Sequence, residues 1–332
     1  MSERPKKSAT GKKVKEFFTL LFKTKKIAAI GLIILLVFVL LAIFADVIAP
    51  YKLVDGQIKK DIIHQLEPPS AEHLFGTDNL GRDVFSYIVY GARTSVVLAL
   101  FCTIISTIVG ALLGTVSAVV GGKFDLLLQR FIDAWQCIPN LLVTLLLMTI
   151  LGSGLWQLIL VISIPGGIMS TRLYRSTAMS VKDSGYVKMS NMLGAKTGWK
   201  MFQHVIPNTM PIIIMNLANS IGGVVMLEAG LSFLGFGVDP NTPSWGGMLT
   251  KAGTEYMFVA PWLAFAPGIA ITLMVLASAL FGDGVRDILD PRLKGGAGSF
   301  STDKIAKVRK EILTRKAADM SEEELAQSGI EL

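Results

Sequence analysis

The sequence predicts an all-α, polytopic membrane protein with about six transmembrane helices. Composition is the first observation: of 332 residues, 52% are hydrophobic and only 17% charged, more oil than the core of a soluble domain this long requires. The second is run length. A hydrocarbon layer of about 30 Å takes roughly 20 apolar residues as helix, and stretches of that kind run from 27 to 48, 95 to 120, 131 to 151, 155 to 174, 208 to 231 and 258 to 282. The third is the distribution of Lys and Arg between those stretches. None of the long runs alternates with period two, so a β-barrel is not expected.

The first stretch, "IAAIGLIILLVFVLLAIFADVI", is too long for the core of a cleaved signal peptide, and no small-residue cleavage site follows it, so it is read as a spanning helix. Ahead of it lies a basic segment, residues 1–26. With that segment inside, the inner segments 1–26, 121–130, 172–207 and 283–332 hold 26 of the 32 Lys and Arg, and the outer segments 49–94, 152–154 and 232–257 hold 6. Cytoplasmic segments accumulate these residues, so both termini are expected in the cytoplasm. The chain therefore divides into a cytoplasmic basic segment (1–26), a first transmembrane helix (27–48), an external loop (49–94), a core (95–282) and a cytoplasmic tail (283–332). The third stretch is the least clean, because Asp133, Gln136, Pro139 and Asn140 interrupt its first half.

Several classes of chemistry have no support. The net charge of +7 lies mostly in the tails and one loop rather than on an aromatic-interleaved face, so nucleic acid is not an expected partner and the lipid bilayer is. Cys102 and Cys137 both fall inside apolar spans, which indicates neither a disulfide framework nor a Cys-ligated metal. His64, His73 and His204 are scattered without ligand spacing, so no metal site is expected. No Gly-x-x-x-x-Gly-Lys-Ser/Thr occurs: "GAKTG" at 194–198 lacks the preceding glycine spacing, and "GGKFD" at 121–125 has no hydroxyl residue after its lysine. The chain is expected neither to bind nor to hydrolyse ATP, and no cofactor of its own is expected.

The polar stretch "YVKMSNMLGAKTGWKMFQHVIPN", residues 186–208, falls on the expected cytoplasmic side. Asp183 and Ser184 are good N-caps, and Tyr186, Met189 and Leu193 recur on one face of a short helix. Gly194 permits the left-handed turn that ends it. A second short helix starts near Thr197 and runs to Ile206, and Pro207 then starts the next span. On these features alone, a loop lying on lipid headgroups and a surface that docks a partner are both open. Methionines suit a surface that repacks against a moving partner.

Two stretches are expected on the outer side. In "HLFGTDNLGRDVFSYIVYGARTS", residues 73–95, Gly76, Asp78, Asn79 and Gly81 form a polar turn leading into an amphipathic segment from Asp83 to Arg93. In "EAGLSFLGFGVDPNTPSWGGML", residues 228–249, two prolines and a tryptophan suit a rigid interfacial loop. Asp133 and Glu228 sit at the edges of the third and fifth stretches, where an unpaired charge costs a few kcal/mol. They either line or gate a polar pathway, together with Ser232 and Phe233, or rest at interfacial depth or against a neighbouring subunit. Gly110 and Gly114, and the pair Gly222 and Gly223, are read as sites of close helix approach.

Spacing within residues 188–207 resembles the cytoplasmic signature of ABC importer permeases: Glu-Ala-Ala, three residues, Gly, then twelve residues and Pro. Gly194 and Pro207 match, while Lys188, Met189 and Ser190 stand where that family has Glu-Ala-Ala. The two outer stretches, and "RDILDPRLKG" at 286–295, are similar to the C-type permease subunit of dipeptide, oligopeptide and nickel importers, over about residues 27–295. Tyr87 departs from that pattern, which often has arginine there.

The resemblance implies a type I (MetI-like) ABC importer transmembrane domain, with 95–282 as the permease core and 183–207 as its coupling helices. Tyr186, Lys188, Met189, Ser190, Leu193, Gly194, Ala195 and Pro207 would then contact an ATP-hydrolysing subunit. It implies a second homologous permease, two ATP-binding subunits that hold ATP and Mg, and an extracytoplasmic solute-binding protein docking near Gly76, Asp78, Gly81, Arg82 and Asp83. It implies a cytoplasmic (inner or cell) membrane, and di- or oligopeptide cargo, with nickel or another small solute as the alternative. A secondary transporter would need broken or charged mid-membrane helices in repeated halves, and a membrane scaffold would carry no flux. The tail has basic residues Lys304, Lys307 and Lys310 on one side of a helical pattern and Ile305, Val308 and Ile312 on another; it is solvated, interfacial or in contact with an ATP-binding subunit.

Overall fold

Helices fill the predicted spans, with different ends. The computed structural model describes residues 17–54, 57–239 and 241–289. The first part of the basic segment and the tail with its Lys304, Lys307 and Lys310 stripe lie outside the described residues. Five helices, or up to six spans if one bent pair is a single span, are long and apolar enough to cross a membrane. The chain is a multi-pass membrane protein. After a helical stretch over residues 17–24 come α1 (Lys26–Ile43) and the short α2 (Ala45–Ile48). A two-stranded antiparallel hairpin, β1 (Leu53–Val54) with β2 (Gln57–Ile58), pairs Leu53 with Ile58 and Val54 with Gln57.

Helix α3 (Val84–Val120) has 37 residues and starts well before the predicted span at 95. Asp83 caps it, Oδ2 accepting the Ser86 N–H at 2.8 Å. Its first turns bury Tyr87, Val89 and Tyr90 against Ala45, Ala49 and Ile58, so the segment assigned to a loop is helix because it has a core of its own. Gly121 ends it with φ 70°.

The third predicted span is corrected. Instead of one helix over 131–151, α4 (Gly122–Gln136) and α5 (Asn140–Leu151) meet at an 86° bend. Pro139 supplies the reason, since it has no N–H for an upstream carbonyl and pushes the residue before it out of the helical region. Helix α6 (Leu155–Lys182) continues past the predicted end at 174 and carries Arg172 and Arg175, which pair with Asp133 and Asp125 of α4.

Two short helices, α7 (Gly185–Met192) and α8 (Thr197–Lys200), follow. Pro207 was expected to separate them from the fifth span; instead the chain passes from α8 through a π turn, Met201–Val205, directly into α9 (Ile206–Phe233). A wider turn absorbs the missing donor without breaking the helix. The expected rigid loop is also partly helical: α10 (Trp245–Thr254) begins with Ser244 Oγ accepting the Gly247 N–H at 3.0 Å. Helix α11 (Trp262–Leu289) starts just after Pro261, later than the predicted 258.

Glycine sets how the helices meet. A Cβ on Gly110 would lie 2.8 Å from the Gly167 carbonyl oxygen, and one on Gly114 2.6 Å from the Thr171 oxygen and 2.7 Å from the Arg175 nitrogen. The backbones of α3 and α6 therefore touch, which is how helices gain packing energy where no hydrophobic effect drives them together. Gly222 does the same against Val275 of α11, whereas Gly223 has open space beside it and serves no close approach. At the centre of the largest core cluster, Trp245 is fully buried among α1, α3, α9 and α11 residues and donates Nε1–H to the Ile88 carbonyl at 3.0 Å.

Gly114→Ala is expected to destabilise the purified protein by about 1–3 kcal/mol, because a methyl group must displace backbone. Gly223→Ala is expected to be neutral or mildly stabilising, as a better helix former in open space. Thermal unfolding in one detergent, with both variants side by side, reads the difference.

Candidate functional site

Between α6 and α9 the chain builds a compact surface unit. Gly194 sits at φ 77°; its N–H donates to the Asn191 carbonyl at 3.0 Å and the Ala195 N–H to the Ser190 carbonyl at 3.1 Å. This is the Schellman ending expected of a glycine in the left-handed region. Capping at the other end differs from expectation. Asp183 belongs to the end of α6, and Ser184 occupies the N-cap position with its hydroxyl turned back to the Val181 carbonyl at 2.6 Å.

Val187 and Ser190 face inward, so Ser190, one of the predicted contact residues, presents no side chain outward. Tyr186, Met189, Met192 and Leu193 face out, the last two 86% and 83% exposed. Lys188 is exposed beside them without an ion pair among the described residues, Ala195 is half-buried, and Pro207 is exposed. Exposed Trp199 and Phe202 extend the apolar face. Reading one face of one helix missed these two, although aromatic residues three apart in a polar segment are the signal that would have found them.

The unit is internally tied. The His204 ring meets the edges of Trp199 and Tyr186 at 5.0 and 5.8 Å, and Lys200 Nζ donates to Asn191 Oδ1 at 2.5 Å. Val205 is buried with Ala118 of α3 and Ala178 of α6. The unit is thus joined to α3 and α6 by packing and to α9 by a continuous chain of helical turns.

At another site the two predicted outer stretches, residues 73–95 and 228–249, meet although they are far apart in sequence. Gly76 and Gly81 take φ 75° and 69°, and a side chain on Gly81 would collide with the Asp61 carbonyl. Asp78 Oδ1 accepts the N–H groups of Leu80 and Arg82 at 2.8 and 2.9 Å, and its Oδ2 accepts Arg82 Nε–H at 2.6 Å. The Arg82 guanidinium lies over the Tyr87 ring at 4.5 Å. Asp83 Oδ1 meets His73 Nδ1 at 3.0 Å, and Tyr51 stacks on that imidazole. Gly76, Asp78, Gly81, Arg82 and Asp83 are therefore the frame of a wall. Nearby, the exposed Asp61 and His64 lie 3.1 Å apart, and each holds the other's charge: Asp61 below the usual carboxylate range, His64 above the usual imidazole one.

That wall, through Asp78, Arg82 and Tyr87, faces Val238, Asp239, Asn241 and Ser244 across a cavity of about 380 Å³. Ser232 also lines it, and its Oγ donates to Glu228 Oε1 at 2.9 Å. Glu228 is 1% exposed, and its Oε2 has no partner among the described residues. A Cβ on Gly246 would sit 3.0 Å from Glu228 Oε1 and 2.8 Å from the Ala229 Cα, so only glycine lets α10 cross α9 there. The four gate candidates do not converge. Glu228 and Ser232 are enclosed at the α9–α10 crossing, Phe233 is exposed on the surface, and Asp133 lies on α4 with Arg172 and Arg130.

Gly246→Ala is expected to cost about 2 kcal/mol or more by forcing α10 off α9. Protease accessibility of the 234–256 segment in the purified protein should rise accordingly; unchanged cleavage would contradict the close crossing.

Comparison with known proteins follows the same geometry. The family profile described as "Binding-protein-dependent transport system inner membrane component" matches residues 106–295, and that of the "N-terminal TM domain of oligopeptide transport permease C" matches residues 19–69. The chain is 35% identical over 273 residues to the oligopeptide transport system permease protein OppC of Bacillus subtilis, covering 82% of this chain and 88% of that one. It is 35% identical to the dipeptide transport system permease protein DppC of the same organism, over 82% and 84% of the two chains. With the di/tripeptide transport system permease protein DppC of Pseudomonas aeruginosa it shares 38% identity over 86% and 94%. On this likeness across its length, the chain belongs to the family of binding-protein-dependent transport system inner membrane components, the permeases of ABC importers.

Proposed function

We propose that this chain is the C-type permease subunit of an importer for di- or oligopeptides, coupled to ATP hydrolysis through the α7–α8 unit. The observation that carries the reading is the exposed apolar face of Tyr186, Met189, Met192 and Leu193 on a unit tied by Val205 into α3 and α6. A large exposed apolar patch on a tethered, glycine-ended helix suits a protein partner. Related proteins named for oligopeptide and dipeptide transport support the cargo.

In this reading the α7–α8 unit lies in the cytoplasm, as do both termini, and the chain resides in the cytoplasmic membrane. Two ATP-binding subunits hold ATP and Mg and carry out the hydrolysis. Lys188, exposed where the family signature has glutamate, meets an acidic group on one of them. A second, homologous permease shares the pathway. A solute-binding protein docks on the opposite side, over the wall built by Asp78, Arg82 and Asp83. Closure of the ATP-binding subunits pushes α7 and α8, and the rigid joint passes that movement to α3, α6 and α9. The pathway then turns from inward- to outward-facing. Glu228 and Ser232 act as the hinge contact between α9 and α10 beside the outer cavity.

Leu193→Asp places a charge in the proposed contact and is expected to lower substrate-stimulated ATP hydrolysis by the reconstituted complex about tenfold or more. Co-purification of the subunits is checked first, since lost assembly supports the same contact. Unchanged assembly, stimulation and uptake would leave residues 186–206 as a membrane-surface loop.

A further inference from the structure

We propose that Asp125 is a positioning residue that makes α4 move with α6, so that the bent pair α4–α5 follows the α7–α8 unit; the inference rests on the coupling role argued above.

The contact is built from three helices. Arg175 of α6 donates from Nε and from one terminal nitrogen to the two oxygens of Asp125, each at 2.6 Å. Ser117 of α3, fully buried, donates to Asp125 Oδ1 at 2.5 Å and accepts from Gln129 Nε2 at 3.1 Å. Lys182, the last residue of α6, donates to the Ala118 carbonyl of α3 at 2.7 Å. A bidentate guanidinium–carboxylate pair fixes angle as well as distance, and this one is largely enclosed, at 26% and 16% side-chain exposure.

Packing does not hold α4 in place. Ile132 is its only buried residue, while Phe124, Leu127 and Phe131 point outward. The link from α3 is a pair of glycines. Gly121 and Gly122 are at φ 70° and 60°; a Cβ on Gly122 would meet nothing within 4 Å, and one on Gly121 only the Lys182 Nζ at 3.4 Å. At the far end, Pro139 breaks the chain into α5. Helix α4 thus lies between a glycine pair and a proline bend, and its side-chain attachments to α3 and α6 are polar. Arg172 to Asp133 is the second, along the same antiparallel contact. Arg175 lies two turns before the end of α6, and α7 begins three residues beyond that end. Movement imposed at α7 and carried along α6 therefore passes Arg175, and reaches α4 through Asp125.

A merely local role, such as favourable charge in the first turn of α4, would not need a cation at 175. The test uses the complete complex in vesicles with tri-alanine as cargo, measuring peptide uptake and phosphate release together. Asp125→Asn is expected to reduce peptide moved per ATP hydrolysed about tenfold. Exchanging the pair, Asp125→Arg with Arg175→Asp, is expected to restore the ratio to within about threefold. Spin labels at Leu127 and Met179, in a chain with Cys102→Ser and Cys137→Ser, report the α4–α6 distance independently of transport. That distance should be narrow with Asp125 present and broad in Asp125→Asn. An unchanged narrow distribution, or an exchanged pair that assembles without recovering the ratio, would overturn the proposal. If the wild-type complex moves no tri-alanine, the peptide-cargo reading fails on its own, and the label distances still decide whether Asp125 holds α4 to α6.

Discussion

Backbone contact between α3 and α6 is the constraint on which the other contacts depend. With Gly110 and Gly114 against Gly167 and Thr171, two long helices are fixed at a separation that no larger residue would permit. In water, burial of apolar area would dominate such a contact. In lipid that term is nearly absent, and dispersion at close approach decides, so a single methyl group outweighs what several exposed leucines contribute. The surface unit is anchored on this pair through Val205, Ala118 and Ala178, and so is the Asp125 contact.

Helix α3 also joins the two sites. One end is capped by Asp83, whose carboxylate is shared with His73 and so fixes the wall of the cavity. The other ends at Gly121 beside Lys182 and Asp125. At about 1.5 Å per residue, its 37 residues span roughly 55 Å, more than the hydrocarbon layer. A single helix therefore lines the cavity through Val84 and Tyr87 and meets the α7–α8 anchor at Ala118.

Much of this was legible in the sequence wherever a local rule is strong. Long apolar runs located the spans, Gly194 located its left-handed turn, and the spacing from Gly194 to Pro207 pointed to the surface unit. Local rules failed where a distant contact decided the outcome. The first turns of α3 are helical because Tyr87 and Tyr90 find partners in α2 and the hairpin, and α10 is helical because Trp245 is buried against α3. Pro139 was noted as an interruption, but the 86° bend needs the pairing of α4 with α6 to become visible. The Asp125–Arg175 pair spans 50 residues and follows no spacing rule. Asp133 and Glu228 looked equivalent as charges in spans, whereas one is ion-paired on α4 and the other enclosed beneath Gly246.

The most direct test is a photo-reactive amino acid at Met192, the most exposed position of the α7 face, in the assembled complex. An adduct with an ATP-binding subunit whose yield changes between nucleotide-free and ATP-bound states, with none from the same group at Ile108 on α3, is the predicted result. No adduct at Met192, or equal adducts at both positions, would contradict the account that the α7 face is where ATP-driven movement enters the chain.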